Sequence, residues 1–351
     1  MADVAELAGV SGQTVSRVVN GNDRVTAATR LKVETAMRQL GYRANIAARA
    51  LATGRFGTIG VVMFNLSAVL NVRIVEAVVA GAQARGYSVS LAVVDGPTEK
   101  EVHAAVRGLT DRAVDGVIVI EARVLDTPHL RLPDEVPLVI ADSRAAHKHP
   151  TFGTDEAAGA RAAVDHLLGL GHATVHHVAG PAGSNPAQRR RAAWQRQLKR
   201  SGRVVPPPVV GDWSPRSGYE AGLRLLTGGR MTGGGVTAGG VTAAGATADG
   251  VTAEGVTAVF AANDQMAVGV LRAAAELGLR VPEDLSVVGF DDLDFTPYLT
   301  PPLTTVRQDL AAVGRRCVDH LITQIEAGAA ESASRFVRPE LVTRASTAPP
   351  R

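Results

Sequence analysis

A chain of 351 residues, 46% apolar and 20% charged, has material for two or three domains with sizeable buried cores. Its single cysteine, Cys317, excludes a disulfide framework and a thiolate metal site, and reads as a small apolar residue on a helix. No stretch approaches eighteen uninterrupted apolar residues, so no membrane partner is expected; without a basic-then-apolar export signal the protein is expected in the cytoplasm.

The net charge of +3 is unevenly placed. Residues 1 to 55 hold eight Lys or Arg and four acids, which makes this segment +4 and leaves the rest at −1. The basicity behind a pI of about 9.3 therefore sits at one end, as in a module that displaces counterions from phosphates.

That end begins with DVAELAGVSGQTVSRVVN, residues 3 to 20. Val4, Leu7 and Ala8 form one short helical stripe, and Val15, Val18 and Val19 form a second. Gly9 suits the left-handed stop of the first helix and Ser11 the N-cap of the second, which predicts a helix-turn-helix. Gln13, Ser16, Arg17 and Asn20 share the opposite face of the second helix and can hydrogen-bond base edges and phosphates. A third helix follows, with Thr26 as N-cap, Val33, Ala36, Met37 and Leu40 as its stripe and Gly41 as its stop. The bland alternative is a helical corner of a larger core with a solvated polar face; the charge asymmetry argues against it.

From Thr58 strands alternate with helices. Apolar runs at 58 to 64, 88 to 94, 115 to 120 and 137 to 141 alternate with stretches such as Val72 to Gly86. A second series has strands at 174 to 180, 204 to 213, 257 to 263 and 285 to 290, with helices near 187 to 200, 218 to 226 and 265 to 277. The fold class is α/β, with two doubly wound lobes and a cleft beyond the carboxyl ends of the strands. Asp142, Trp213, Asn263, Asp264, Asp291 and Asp292 fall at such ends. Between 228 and 256 glycine recurs at 235, 240, 245, 250 and 255, followed each time by VTA or ATA. This is too poor in large apolar groups for a core and predicts a flexible surface insertion; without a following Gly-Lys-Ser/Thr it is not a phosphate cradle.

These strings carry a resemblance over almost the whole chain. DVAELAGVSGQTVSRVVN and RVTAATRLKVETAMRQLGYRAN, followed in order by HLLGLGH, GDWS, FAANDQMAVG, LSVVGFDD and PPLTTVRQD, resemble the LacI family of bacterial transcription repressors. The resemblance implies a helix-turn-helix headpiece over 1–44 and a hinge helix over 45–55. It further implies a core of periplasmic-binding-protein type, with one subdomain from 56–155 and 309–330 and another from 156–308 and 331–345. By position, Gln13 and Arg17 match the base-reading residues, while Thr14, Ser16 and Asn20 match the phosphate side. Gly12 stands where a larger reader is common. Asn45 opens the segment that matches the hinge helix, and Leu51 matches the leucine wedged into the minor groove. Asp142, Arg190, Trp213, Asn263 and Asp291 match positions that hold an effector, with a sugar, galactoside-like first, suggested by GDWS. Phe64 and Ile120 depart from the pattern, replacing polar residues.

The implied partners are a near-palindromic double-stranded operator, a small sugar effector and a second copy of the chain in a homodimer; no leucine heptad closes the chain to make a tetramer. No cofactor is implied. Helix one starts almost at Met1, where a terminal amine opposes the helix dipole, so the natural start is expected a few residues upstream. The competing classes are an enzyme and a free-standing sugar-binding protein. His176 and His177 are adjacent on a strand and point to opposite faces, and no HExxH, GxSxG or dinucleotide fingerprint stands in context, so no catalytic residue or metal site is expected.

Overall fold

The computed structural model of the chain describes residues 1–19, 24–42, 54–64, 69–94, 98–120, 132, 136–141, 149–228, 256–328 and 335–351. Asn20, Asn45, Leu51 and Asp142, the expected hinge helix and the repeat over 229–255 lie outside the described residues.

The headpiece is three helices, α1 (Ala2–Ala8), α2 (Gly12–Val19) and α3 (Ala27–Gln39). Gly9 ends α1 with a φ of 64°, a left-handed position that glycine takes without a Cβ clash. The Ser11 hydroxyl accepts from the Thr14 amide at 3.2 Å, and Thr26 caps α3 by accepting from the Thr29 amide at 3.3 Å. Val4, Ala5, Val15, Val18, Val33 and Ala36 make a small separate core. Leu7 and Leu40, expected inside, are 51% and 47% exposed. The contact face of α1 runs through Val4, Ala5 and Ala8, which leaves Leu7 about a quarter turn away. Leu40 falls past the last helical residue, where the stripe no longer applies.

Among the described residues two six-stranded sheets follow. The first contains β1 (Thr58–Phe64), β2 (Ser88–Val94), β3 (Gly116–Ile120), β4 (Leu138–Ala141), β5 (Thr151–Thr154) and β11 (Arg335–Val337), in the order β11-β5-β4-β3-β1-β2 and parallel throughout. Buried on both faces, its central strands are continuous apolar runs such as GVIVI. Helices α4 (Val69–Ala84), α5 (Glu99–Thr110) and α10 (Leu310–Ala327) cover it, and Cys317 is buried in the core beneath α10.

The second sheet contains β6 (His176–Ala179), β7 (Val209–Val210), β8 (Ala258–Ala261), β9 (Ser286–Asp291), β10 (Thr304–Arg307) and β12 (Glu340–Val342), in the order β12-β10-β9-β8-β6-β7. Only the β10 and β12 pair is antiparallel among its ladders. Its helices are α6 (Glu156–Gly169), α7 (Asn185–Arg200), α8 (Pro215–Leu226) and α9 (Asp264–Glu276). The strand expected over 204–213 shrinks to two residues, because three prolines at 206 to 208 have no N–H for a ladder.

One boundary differs from expectation. The resemblance implies that residues 331–345 belong whole to the second lobe, yet β11 pairs with β5 of the first sheet, in the register Arg335 with Phe152. Only β12, after Arg338 and Pro339, pairs in the second sheet. The chain thus supplies an edge strand to each lobe within eight residues, and the ladder partner rather than sequence proximity decides the membership.

Helices α8 and α9 cross at two glycines. A Cβ on Gly218 would collide with the Met266 carbonyl, and one on Gly269 with the Pro215 carbonyl, so backbone meets backbone there. The contact fixes the N-termini of both helices, where Trp213 and Asn263 stand. Gly269→Ala is expected to destabilise the second lobe by about 1–3 kcal/mol, as overpacking does. Calorimetric unfolding checks this, with a lowered core Tm as the expected outcome; an unchanged Tm would mean that the crossing has slack.

Candidate functional site

The second sheet reverses its strand order between β6 and β8, and its candidate residues gather at the carboxyl ends there. Trp213 follows β7, Asn263 follows β8 and Asp291 ends β9, while Arg190 comes from the second turn of α7. Asp142 directly follows β4 of the first lobe but is itself outside the described residues.

Arg190 is the centre of the group and only 2% exposed. One guanidinium nitrogen donates to Glu156 Oε1 at 3.0 Å; the other donates to the Ala262 carbonyl and lies 3.5 Å from Asp291 Oδ1. The guanidinium carbon sits 3.8 Å from the Phe290 ring centroid and 5.5 Å from that of Trp213. Its remaining nitrogen, Nε, is buried with no hydrogen-bond partner among the described residues.

Asp291 is held by Gln308, whose Nε2 donates to Oδ1 at 2.7 Å. Asn263 is largely committed to structure. Its Oδ1 accepts from the Met266 amide at 2.9 Å as the N-cap of α9, and its Nδ2 donates to the Trp213 carbonyl at 3.1 Å. The indole of Trp213 lies so close to Gly180, just after β6, that a Cβ there would overlap the ring. Trp213 and Asp291 both take positive φ, 78° and 116°, in a region that side chains rarely adopt. Such strain at two adjacent site residues is the kind that surrounding structure must enforce.

Glu156 and Gln308 are site residues that sequence reasoning did not single out. Glu156 looks like an ordinary acid in the first turn of a helix, yet it is 1% exposed and takes Arg189 Nε on Oε2 at 2.6 Å besides Arg190. Gln308 lies inside the quoted PPLTTVRQD string, the one signal that could have found it. Phe64 and Ile120, the two apolar departures, are buried in the first lobe's cores.

Asp264 is a structural acid. Its Oδ2 accepts from the Leu293 amide at 2.8 Å, and its Oδ1 from the Thr305 hydroxyl, which pins the turn after β9. Burial, then the neighbouring Asp291 charge, holds its carboxyl well above the usual range. His177 is sandwiched against Trp194 and Phe260, and burial pushes it down to about 4, so it stays a neutral core residue. Among the described residues no group of three or more His, Cys, Asp or Glu could hold a metal ion.

In the headpiece, Gln13 and Arg17 are exposed on α2, with Thr14 and Ser16 partly buried beside them. The two long forked side chains are four residues apart and share one face.

Burial pushes the Asp291 carboxyl up to about 6, against the lowering pull of Arg190 and Gln308. Its folded value lies above the unfolded value of about 4, so the folded state binds this proton between those pH values. The resulting stability is present below that window and lost as pH rises through about 6, a change on the order of 3 kcal/mol. Asp291→Asn is expected to melt higher than the parent at pH 7.5 and to show a shallower decline between pH 4 and 6, the share owed to buried Asp264 remaining. Thermal melts across pH decide it; a lower Tm with the parental pH slope would contradict the assignment.

The chain matches three family profiles. Residues 1–45 match "Bacterial regulatory proteins, lacI family", residues 57–216 match "Periplasmic binding proteins and sugar binding domain of LacI family", and residues 164–347 match "Periplasmic binding protein-like domain". The lactose operon repressor of Escherichia coli K12 is 35% identical across 99% of this chain and 90% of its own length. The ribose operon repressor of the same strain is 29% identical across 99% of both. A crystal structure of the lac repressor dimer bound to operator and the anti-inducer ONPF superposes with a TM-score of 0.81, at 34% identity, covering 99% of this chain and 98% of that one. With its headpiece, its two-lobed core and a 35% identical relative spanning nearly its full length, the chain belongs to the LacI family of bacterial regulatory proteins.

Proposed function

We propose that this chain is a sequence-specific transcriptional repressor, released from its operator by a small sugar, galactoside-like before others, bound at Asp142, Arg190, Trp213, Asn263 and Asp291. The observation that carries this reading is the convergence at one spot of a buried guanidinium with an unpartnered Nε, a carboxylate and an indole. A polyol offers hydroxyls that both donate and accept, and its C–H face packs on an aromatic ring. Asn263 acts chiefly by holding Trp213 in place.

On the DNA side, Gln13 and Arg17 would contact base edges and Thr14, Ser16 and Asn20 the phosphate side. Asn45 would open the hinge segment and Leu51 would enter the minor groove. The last step costs a few kcal/mol of unstacking in exchange for a bent operator. A near-palindromic operator pairs with a homodimer. The outer face of α4 suits the second copy, since Val72, Val75, Val79 and Ala80 line an apolar pocket of about 310 Å³. Beside it on β2, Leu91 and Val93 are exposed. The protein would act in the cytoplasm, without a cofactor or a catalytic step.

The mechanism has two states. The dimer brings two hinges together and seats both headpieces; sugar in the cleft shifts the lobes, separates the hinges and lowers operator affinity, with a coupling on the order of 1–3 kcal/mol per site. Mobility shifts of the chain's own promoter fragment, with galactosides, ribose and glucosides compared at fixed salt, test the reading. Release by a galactoside alone is expected; a shift that no sugar alters would overturn the effector assignment. Arg17→Ala is expected to lose about 1–3 kcal/mol of preference for operator over random duplex while the core melts unchanged. Full retention of specific binding would remove α2 as the reading helix.

A further inference from the structure

Arg73 stands on α4 in the first lobe, and its Nη2 lies 2.6 Å from Oδ1 of Asp294, which follows β9 in the second lobe. Asp294 is 95% exposed along its side chain, so the pair contributes little to stability. What so modest an interaction can change is a balance between arrangements of nearly equal energy.

Both ends are rigidly mounted. Behind Asp294, the Asp292 carboxylate takes Arg307 Nε and Arg344 Nη2 at 2.6 Å each, and the Leu293 amide is bound by Asp264. Behind Arg73, Ile74 and Val78 are fully buried in the first core, and α4 meets α10 so closely that a Cβ on Gly314 would press on Ala77 and the Ile74 carbonyl. A rotation of one lobe against the other therefore changes this contact before it deforms either lobe.

The pair also borders the site. A cavity of about 640 Å³ lies between Arg73, Glu76, Asp294, Arg307, Gln308 and Arg338, and Gln308 is the residue that holds Asp291. The Arg73 charge reaches Asp291 as well, favouring its ionised form. The lobe arrangement in which the pair forms belongs to a chain that superposes closely on the operator-bound relative.

We propose that the ion pair of Arg73 and Asp294 is an interlobe latch that favours the operator-binding arrangement, so that a ligand at Asp291 acts against it. The inference rests on the cleft being the effector site, but its test does not need a ligand. Spin labels at Ala84→Cys and Ser201→Cys, both exposed and one per lobe, report the interlobe distance by double electron–electron resonance. The measurement uses full-chain dimers with one labelled subunit; native Cys317 is buried. Arg73→Ala is expected to shift the distance distribution and weaken binding to the promoter fragment about threefold. The charge reversal of Arg73→Asp with Asp294→Arg is expected to restore both. An unchanged distribution in Arg73→Ala, or a reversal that restores nothing, overturns the latch. If the distances respond as expected while galactosides, ribose and glucosides leave the protein unmoved, the latch stands and the sugar assignment falls.

Discussion

A guanidinium taken out of water is the interaction on which the second lobe and its site depend. Desolvating Arg190 costs several kcal/mol unless its donors are met, and α6, the end of β8 and β9 each bring something to meet them. Glu156 is buried at the start of α6 for this reason, the Ala262 carbonyl is turned inward after β8, and Phe290 and Trp213 offer ring faces. Two of its nitrogens thus hold the lobe together and the third is left over.

The same arrangement explains the strain beside it. Asp291 and Trp213 take positive φ where Gln308 holds the one, and Asn263 and the wall at Gly180 hold the other. A pocket whose polar groups are fixed before a ligand arrives loses little ordering entropy on binding. The cost falls on stability, as it does for an acid kept in a dry site.

Much of this was legible in the sequence, for physical reasons that differ by element. TIGVVMF and SVSLAVV are β1 and β2 to the residue, because β-branched runs bounded by Gly and polar turns leave few alternatives. The headpiece was legible through its caps, since Gly9, Ser11 and Thr26 mark chain reversals by local chemistry. The short strand β5 and the edge strands β11 and β12 were not legible: three or four residues carry no periodicity, and the place of the two edge strands depends on a partner far away in sequence. Trp213, Asn263 and Asp291 were found as strand-end residues, while Arg190 joined them only through resemblance. Their local patterns do not reveal that Asn263 serves the indole backbone, or that Glu156 completes the charge balance. Leu7 shows the limit of periodicity in a helix of two turns, where three contacts define the buried face and a fourth apolar residue is simply left outside.

The return of the chain to its first lobe through α10 and β11 has a consequence for synthesis. Helix α10 supplies much of the apolar layer beneath the first sheet, and β11 completes the edge of that sheet beside β5, yet both are made after all of the second sheet's strands but β12. The DNA-reading headpiece leaves the ribosome first, while the lobe next to it cannot close its core until α10 and β11 are made, just before β12 completes the second sheet. During elongation the exposed faces of β1, β3 and β4 must wait for residues more than 150 positions downstream. The nascent chain therefore presents a finished reader on an unfinished body, and its exposure to chaperones and to mispairing is greatest in that interval.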